Sequence, residues 1–554
     1  MLLSRINRLR SEERGSALIA VLALAGVTAI IAVTVGSVSV SSLRFSNDSI
    51  AIVEARAAAE AGVTAAELAL TTTTGCSAAS GVFTSTTTPK YRVEVSYDRG
   101  AGWVDGCPTN DATQVRFLST GFANRTVFDG SRVEDGRVVE AVYQFIPEYV
   151  EVPDIDPAVY AYSIDGVLKK FVLDSADRSI AADVQIKTGD FECSNNASVS
   201  GDVVLANGAA DLTSCTINGT LHVTKGAGID GASLITGDVI AGGAGVTGTN
   251  PTVRIEAGTR VNGSVFAGGN VSILSGSGST VSGNVTATRD TSTRVIVANG
   301  STVSGNVLSS GTIQRNGTIG GTQSTAVTGL QAPVAPRVPD WTDLPWNVSS
   351  TADFQSTTWY QQGFTNLVTW PAGDCTIGSG DARWSALGSY TTPTVVDATR
   401  CTNGIITRNN LSPNIFLQTN IVFIADKFQF DKLYFESSVA STNRKLYFIV
   451  PDNTADALPT CTGEAGNIYL TSEADIRPSV SAFMYSPCEI QSDRNGLRGQ
   501  LYGGVINFDQ QAQMTYVPTS PPGVDFSASL PPVLELVGAY LGDRLSIREV
   551  ASGG

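Results

Sequence analysis

Val199-Ser200-Gly201-Asp202-Val203 is the first copy of a short pattern: apolar, polar, glycine, polar, apolar. It returns as Ile217-Asn218-Gly219-Thr220-Leu221, Ile235-Thr236-Gly237-Asp238-Val239, Val261-Asn262-Gly263-Ser264-Val265, Val281-Ser282-Gly283-Asn284-Val285 and Val303-Ser304-Gly305-Asn306-Val307. The central glycines stand 18, 18, 26, 20 and 22 residues apart, steps suited to one coil of a parallel β-helix. Side chains alternate across a strand, so both apolar residues and the glycine are expected on one face and the polar residues on the other. Stacked coils would bury ladders of Val, Ile and Leu and display polar ladders, with glycine on the inner face letting the wall bend. A flexible Gly/Ser linker would lack the regularly placed apolar pairs.

Composition agrees with an exported, β-rich body. Of 554 residues, 56 are glycine and only 16% are charged, below the roughly 25% of an average soluble domain. Lys and Arg number 36 against 51 Asp and Glu, a net charge of −15. No basic stripe is available to neutralise phosphates, so a nucleic-acid partner is not expected. The one histidine, His222, excludes the paired-histidine zinc sites, and no metal or cofactor is expected. His222 lies in the repeat just after Leu221, on the polar face.

The repeat region is read as 151–329. Pro333, Pro336, Pro339 and Pro345 make 330–346 a proline-rich connection. Further strands are expected at Ile421–Phe430, Lys445–Val450, Asn467–Thr471, Ser481–Ser486, Gln500–Phe508 and Gln513–Val517. Runs such as Leu446-Tyr447-Phe448-Ile449-Val450 lack alternation, as when both faces of a strand are covered. Residues 347–532 are therefore expected to continue the solenoid, packed back on itself, with 533–554 as a strand pair, short helix or tail.

On the N-terminal side, Lys90–Tyr97, Thr113–Thr120 and Arg137–Phe145 alternate as half-buried strands and predict a small β head over 71–150. Before them comes an apolar segment. Residues 1–15 carry Arg5, Arg8, Arg10 and Arg14, and the 28 residues from Ser16 to Leu43 have no charged side chain. That is long enough to cross a hydrocarbon core of about 30 Å as a helix, and the arginines would hold its start in the cytoplasm, placing the body outside. Ser49–Leu70, rich in Ala, Glu and Leu, should carry the helix onward to about residue 70. Signal-peptidase cleavage near Ala23-Leu24-Ala25 is disfavoured, because the apolar run continues past it.

Arg14-Gly15-Ser16-Ala17-Leu18-Ile19, the apolar helix and Ala57-Ala58-Ala59-Glu60-Ala61-Gly62 together resemble the N-terminal module of PilX-type minor pilins and other type IV pilin-like proteins. The resemblance covers about residues 10–70. It implies a basic leader over 1–15, cleavage by a prepilin peptidase between Gly15 and Ser16, and a helix over 16–70 that anchors the chain and then packs in a pilus core. It also implies other pilins and the pilus assembly machinery as partners. The chain departs from the family pattern at Ala20, where a glutamate usually neutralises a neighbour's amino terminus. The repeat region resembles bactofilins and surface β-solenoids in its valine and polar coils, which bears on architecture more than function.

Eight cysteines occur without any CxxC arrangement, so zinc ribbons and redox motifs are disfavoured. Two fall in each successive segment, and the simplest pairing joins sequence neighbours: Cys76 with Cys107, Cys193 with Cys215, Cys375 with Cys401, and Cys461 with Cys488. Each bridge would add about 3 kcal/mol in the chain-entropy model and would persist outside the cell.

The fold expected is mainly β: an apolar helix, a small α+β head, then a parallel β-helix, right-handed by the default of known solenoids. The functional expectation is a pilus-associated minor pilin, adhesin-like or assembly-priming at a filament tip, with a surface or glycan as ligand. The alternative is a signal-anchored surface adhesin or cell-envelope structural protein without a filament. A weaker alternative is a carbohydrate-active β-helix enzyme, whose candidate acids are Asp202 and Asp238 in the repeat and Asp426 and Asp431 around a strand. None forms a coupled acid–base pair in the sequence, so no enzyme is expected.

Overall fold

The computed structural model describes residues 3–550 apart from 72–80, 100–101, 110–111, 127–131, 153–155, 164–166, 170, 275–277, 410–413, 462, 493–494, 509–511 and 531–532. Its first element, helix α1, runs over Leu3–Thr71, about 100 Å of helix at 1.5 Å per residue. The chain divides into two compact units, Met1–Pro153 with Pro532–Gly554, and Asp154–Pro531.

In the first unit, strands β1 (Val82–Ser85), β2 (Lys90–Asp98), β3 (Trp103–Asp105), β4 (Gln114–Thr126) and β5 (Arg132–Val152) form an antiparallel sheet. Its last member is the C-terminal strand Val533–Val550, antiparallel to β5 with Val533 opposite Val152. Residues 533–550 are thus one strand of the head sheet, in place of the expected strand pair, short helix or tail; 551–554 lie outside the described residues. The whole second unit is inserted between two paired strands.

The second unit is a parallel β-solenoid. Each coil of its first half has three short strands, as in Phe191–Ser194, Ser198–Val199 and Val203–Leu205. Successive coils pair in parallel, aligning Val199, Ile217, Ile235, Val261, Val281 and Val303 in one column. Val203, Leu221, Val239, Val265, Val285 and Val307 form a second column. All twelve are buried in one continuous core.

The glycines differ from the sequence reading. The five-residue unit is a strand, a corner and a strand, and its glycine sits at the corner, half-exposed in all copies but Gly201. Successive glycines stack there, Gly263 N–H donating to Gly237 O at 3.1 Å and Gly283 N–H to Gly263 O at 2.9 Å. A Cβ at Gly283 would lie 2.6 Å from Gly263 O. The coils demand glycine at this corner because backbone of the next coil occupies the space.

Residues 366–516 belong to the same solenoid but do not extend its far end. Asn366–Thr369 pairs with Thr394–Asp397, then Ile421–Ile424, Arg444–Ile449, Val480–Ser492 and Asn495–Asn507 follow, and this last strand pairs with Val159–Ser163. The ladder continues through Val184–Thr188 into Val203–Leu205. In the stack the second half therefore comes before the first. Among the described residues no coil stacks beyond the last one, where Arg315 occupies the column of Ile255, Ile273 and Val297, and Gln323 that of Val285 and Val307. Polar residues there close the stack, as capping repeats do. Among the described residues the opposite end carries the short helix Ala382–Ala386, whose buried Trp384 packs on Phe423 and Phe435.

The proline-rich connection is an extended strap lying along the outside of the solenoid. Tyr485, Tyr502 and Tyr160 occupy adjacent rungs of one outward column. Their rings stack, with centroids 5.7 Å apart for Tyr485–Tyr502 and 4.1 Å for Tyr502–Tyr160. Tyr485 Oη accepts from Leu344 N and donates to Thr342 O; Tyr502 Oη accepts from Thr342 N and donates to Asp340 O. Tyr160 Oη donates to Pro339 O. These hydroxyls take the place of a neighbouring strand, satisfying the strap's backbone groups. Trp341, Trp346, Phe354 and Phe526 then cover the tyrosines and the apolar outer face in a second core.

Candidate membrane and packing surface

Helix α1 has two contrasting stretches. From residue 18 to 46 every residue is exposed, among them Leu18 at 64% and Val33 at 72%. This part is long and apolar enough to cross a membrane. Its hydroxyls are satisfied inside the helix, Thr28 Oγ1 donating to Leu24 O, Ser37 Oγ to Thr34 O and Ser41 Oγ to Val38 O. Such internal bonds suit a helix that meets no water. Ala20 lies here, exposed and without charge. Gly15 and Ser16 fall within the helix, where the backbone alone is described.

From residue 51 onward the helix packs on its own sheet. Ala51, Ala55, Ala58, Ala59, Val63 and Ala66 are buried. Small side chains let the helix come close: a Cβ on Gly121 of β4 would meet the backbone of Ala58 at 2.7 Å, and one on Gly62 would meet Tyr91 and Val93 at 3.0 Å. Phe117, Tyr143 and Val115 complete this core.

Asp202, Asp238, Asp431 and His222 have structural partners. Asp202 Oδ1 accepts from Thr220 N at 2.7 Å and Asp238 Oδ1 from Ser264 N at 2.6 Å. Ser264, Asn284 and Asn306 accept in the same way from Asn284 N, Asn306 N and Thr322 N. This is a column of side chains each holding the backbone of the next coil, a second reason for polar residues after the glycine. Asp431 accepts from Thr471 Oγ1, and Asp426 is pushed above the usual carboxylate range by burial and by Asp397. His222 Nε2 donates to Val334 O at 2.8 Å and so holds the strap's start, a role that no local signal gave away. Lys187 does the same at Val338 O and pairs with Asp340.

Cys193 is bonded to Cys215, Cys375 to Cys401 and Cys461 to Cys488. The first two bridges lie in the solenoid core, while the third ties an exposed loop to a buried strand. Cys107 is also disulfide-bonded, and Cys76 lies outside the described residues.

No family model matches the chain, and no curated protein matches it. Among solved structures it is similar to the competence-associated pilin ComZ from Thermus thermophilus, at 12% identity and a TM-score of 0.25, over 90% of this chain and 98% of that one. A TM-score of that size establishes no shared fold.

Proposed function

We propose that the chain is a pilin-like minor subunit, cut between Gly15 and Ser16, anchored by helix α1 in the cytoplasmic membrane and passed into a surface pilus. The body Asp154–Pro531 is a non-catalytic, extracellular display module. The observation that carries this reading is the division of one continuous helix into a bare apolar stretch and a stretch packed on its own head. A plain signal anchor needs no such rigid continuation, whereas a filament subunit needs an apolar stalk fixed to its head. Ala20 and the large inserted body favour a rare subunit at the filament end over one repeated along the shaft. The structural employment of Asp202, Asp238 and Asp431 supports a body without catalysis.

Mass spectrometry of the protein from its native membrane, with antibody labelling of residues 341–530 on intact cells, tests this. The expected results are a mature chain beginning at Ser16 and label at pilus ends. An intact leader would instead assign a signal-anchored surface protein, and even label along the shafts would remove the tip position.

A further inference from the structure

The tyrosine column is not all that holds the strap. Residues 451–466, between the strands Arg444–Ile449 and Ile468–Ile476, form a loop that bonds to it as well. Asp452, 1% exposed, accepts from the Trp341 indole N–H at 3.0 Å, and its own N–H donates to Leu344 O. Asn453 Oδ1 accepts from Trp346 N at 2.8 Å, and Asp343 Oδ2 of the strap accepts from Asp456 N and Ala457 N. The tyrosines thus hold 339–344, and the loop adds a second set of bonds over 341–346.

The loop packs little of itself. From 453 to 458 every residue is exposed, Leu458 among them at 50%. Its exposed part is tied to the solenoid wall by Cys461, bonded to Cys488 of the strand Val480–Ser492. Beyond that bridge Gly466 O accepts from Ser486 Oγ, which fixes the loop's return to the wall. The three bridges of the solenoid unit differ in access. Cys193, Cys215, Cys375 and Cys401 are all buried in the solenoid core, at most 2% exposed. Cys461 is exposed, and its partner Cys488 is buried. Exchange needs a thiolate to reach a sulfur, so access ranks the bridges.

We infer that Cys461–Cys488 is a site of thiol–disulfide exchange with an external dithiol, and that opening it frees the loop and loosens the strap over 341–346. One thiolate of the dithiol attacks Cys461 Sγ; the S–S bond breaks, and Cys488 leaves as a thiolate that takes up a proton. The second thiol of the reagent, losing its proton, attacks its own sulfur in the mixed disulfide and displaces Cys461, which is protonated in turn. Two electrons and two protons pass to the cysteines, and the reagent becomes a disulfide. The loop from 453 to 461 then keeps only its bonds to the strap. The inference concerns the solenoid unit alone and does not rest on the pilus reading.

The test incubates the full chain in detergent with dithiothreitol, traps the thiols formed with iodoacetamide, and maps the labelled peptides against time. Cys461 and Cys488 are expected to be labelled at least about tenfold faster than Cys193, Cys215, Cys375 and Cys401. A thioredoxin lacking its second active-site cysteine should be trapped as a mixed disulfide on Cys461. With the bridge open, hydrogen exchange in peptides covering 345–350 and 452–461 should speed up by about tenfold, while 281–307 stays protected. The double variant Cys461→Ser, Cys488→Ser should show the fast exchange without reductant. If that variant fails to fold, the reduced wild-type chain decides, with 281–307 as its internal control. Labelling of the three bridges at one rate, thioredoxin trapped on Cys488 or not at all, unchanged exchange at 345–350, or loss of protection at 281–307 as well would overturn the proposal.

Discussion

In the coils from Phe191 to Ser324 only the inner side of the wall is regularly apolar, whereas in the second half the wall beneath the strap, as at Thr394–Asp397 and Ile421–Ile424, is buried on both sides. One inward column runs without interruption through both halves: Val396, Phe423, Phe448, Met484, Leu501, Val159, Val184 and Val203. Its aromatic members all lie in the second half. The outward column beside it is Val395, Val422, Tyr447 and Phe483, buried under the strap and its helices. Short coils are filled mostly by Val, Ile, Leu and Ala, and the tight corners need glycine and a polar side chain to hold each turn. Longer strands enclose aromatic rings and can dispense with that device, provided something covers their outer face. The same ladder is thus stabilised by repetition in one half and by a second core in the other.

The contrast breaks most sharply at the inner face of the first half. Val281 is fully buried between Val261 and Val303. Val281→Asp places an unpaired carboxylate in a dry core and should cost several kcal/mol in urea unfolding. Asn284→Asp, three residues away, keeps the oxygen that accepts from Asn306 N and should stay within about 0.5 kcal/mol. Equal losses from the two would refute the assignment of faces.

Glycine gives the next largest effect. Gly283→Ala drives a methyl against the backbone of Gly263 and should cost about 2–3 kcal/mol, the upper part of the overpacking range. Gly388 in the second half has ordinary φ and no atom nearer its Cβ position than 3.4 Å. Gly388→Ala should be neutral or stabilise by about 0.5 kcal/mol. If both substitutions were tolerated in thermal melts, the glycine corner would not be what spaces the coils.

What the sequence revealed follows the range of the interactions. The repeat columns and helix α1 are written in spacings of a few residues, and the described bridges close between near neighbours. The both-faced burial of Leu446–Val450 also showed, as absence of alternation, though not what covers it. The strap looked like a linker because its partners lie 143 and 162 residues away in sequence, at Tyr485 and Tyr502. The stacking order was hidden because apolar columns at either end of a solenoid look alike, and only Arg315 and Gln323 mark which end is closed. Val533–Val550 gave no sign that its partner was β5, on the other side of the whole body. Of the candidate site, residues 18–43 were legible from charge and length.

The strap supplies the smallest and most diagnostic effect. Tyr485→Phe removes one hydroxyl, leaving Leu344 N and Thr342 O without their partner, and should cost about 1–2 kcal/mol at neutral pH. Burial, before any other cause, raises Tyr160, Tyr447, Tyr485 and Tyr502 above the ordinary tyrosine value of 10.0. Above that value the unfolded chain releases protons that the folded chain retains, so νU is smaller than νN and stability falls as pH rises. The stability these phenols contribute is complete below pH 10 and is lost progressively above it. Each tyrosine contributes a slope of about 1.4 kcal/mol per pH unit until its folded pKa is reached. Urea midpoints measured from pH 8 to 11 should therefore be flat and then descend, with Tyr485→Phe starting lower and descending less steeply by one phenol's share. Parallel descents in the two proteins would mean that Tyr485 ionises freely and that its hydroxyl does not hold the strap.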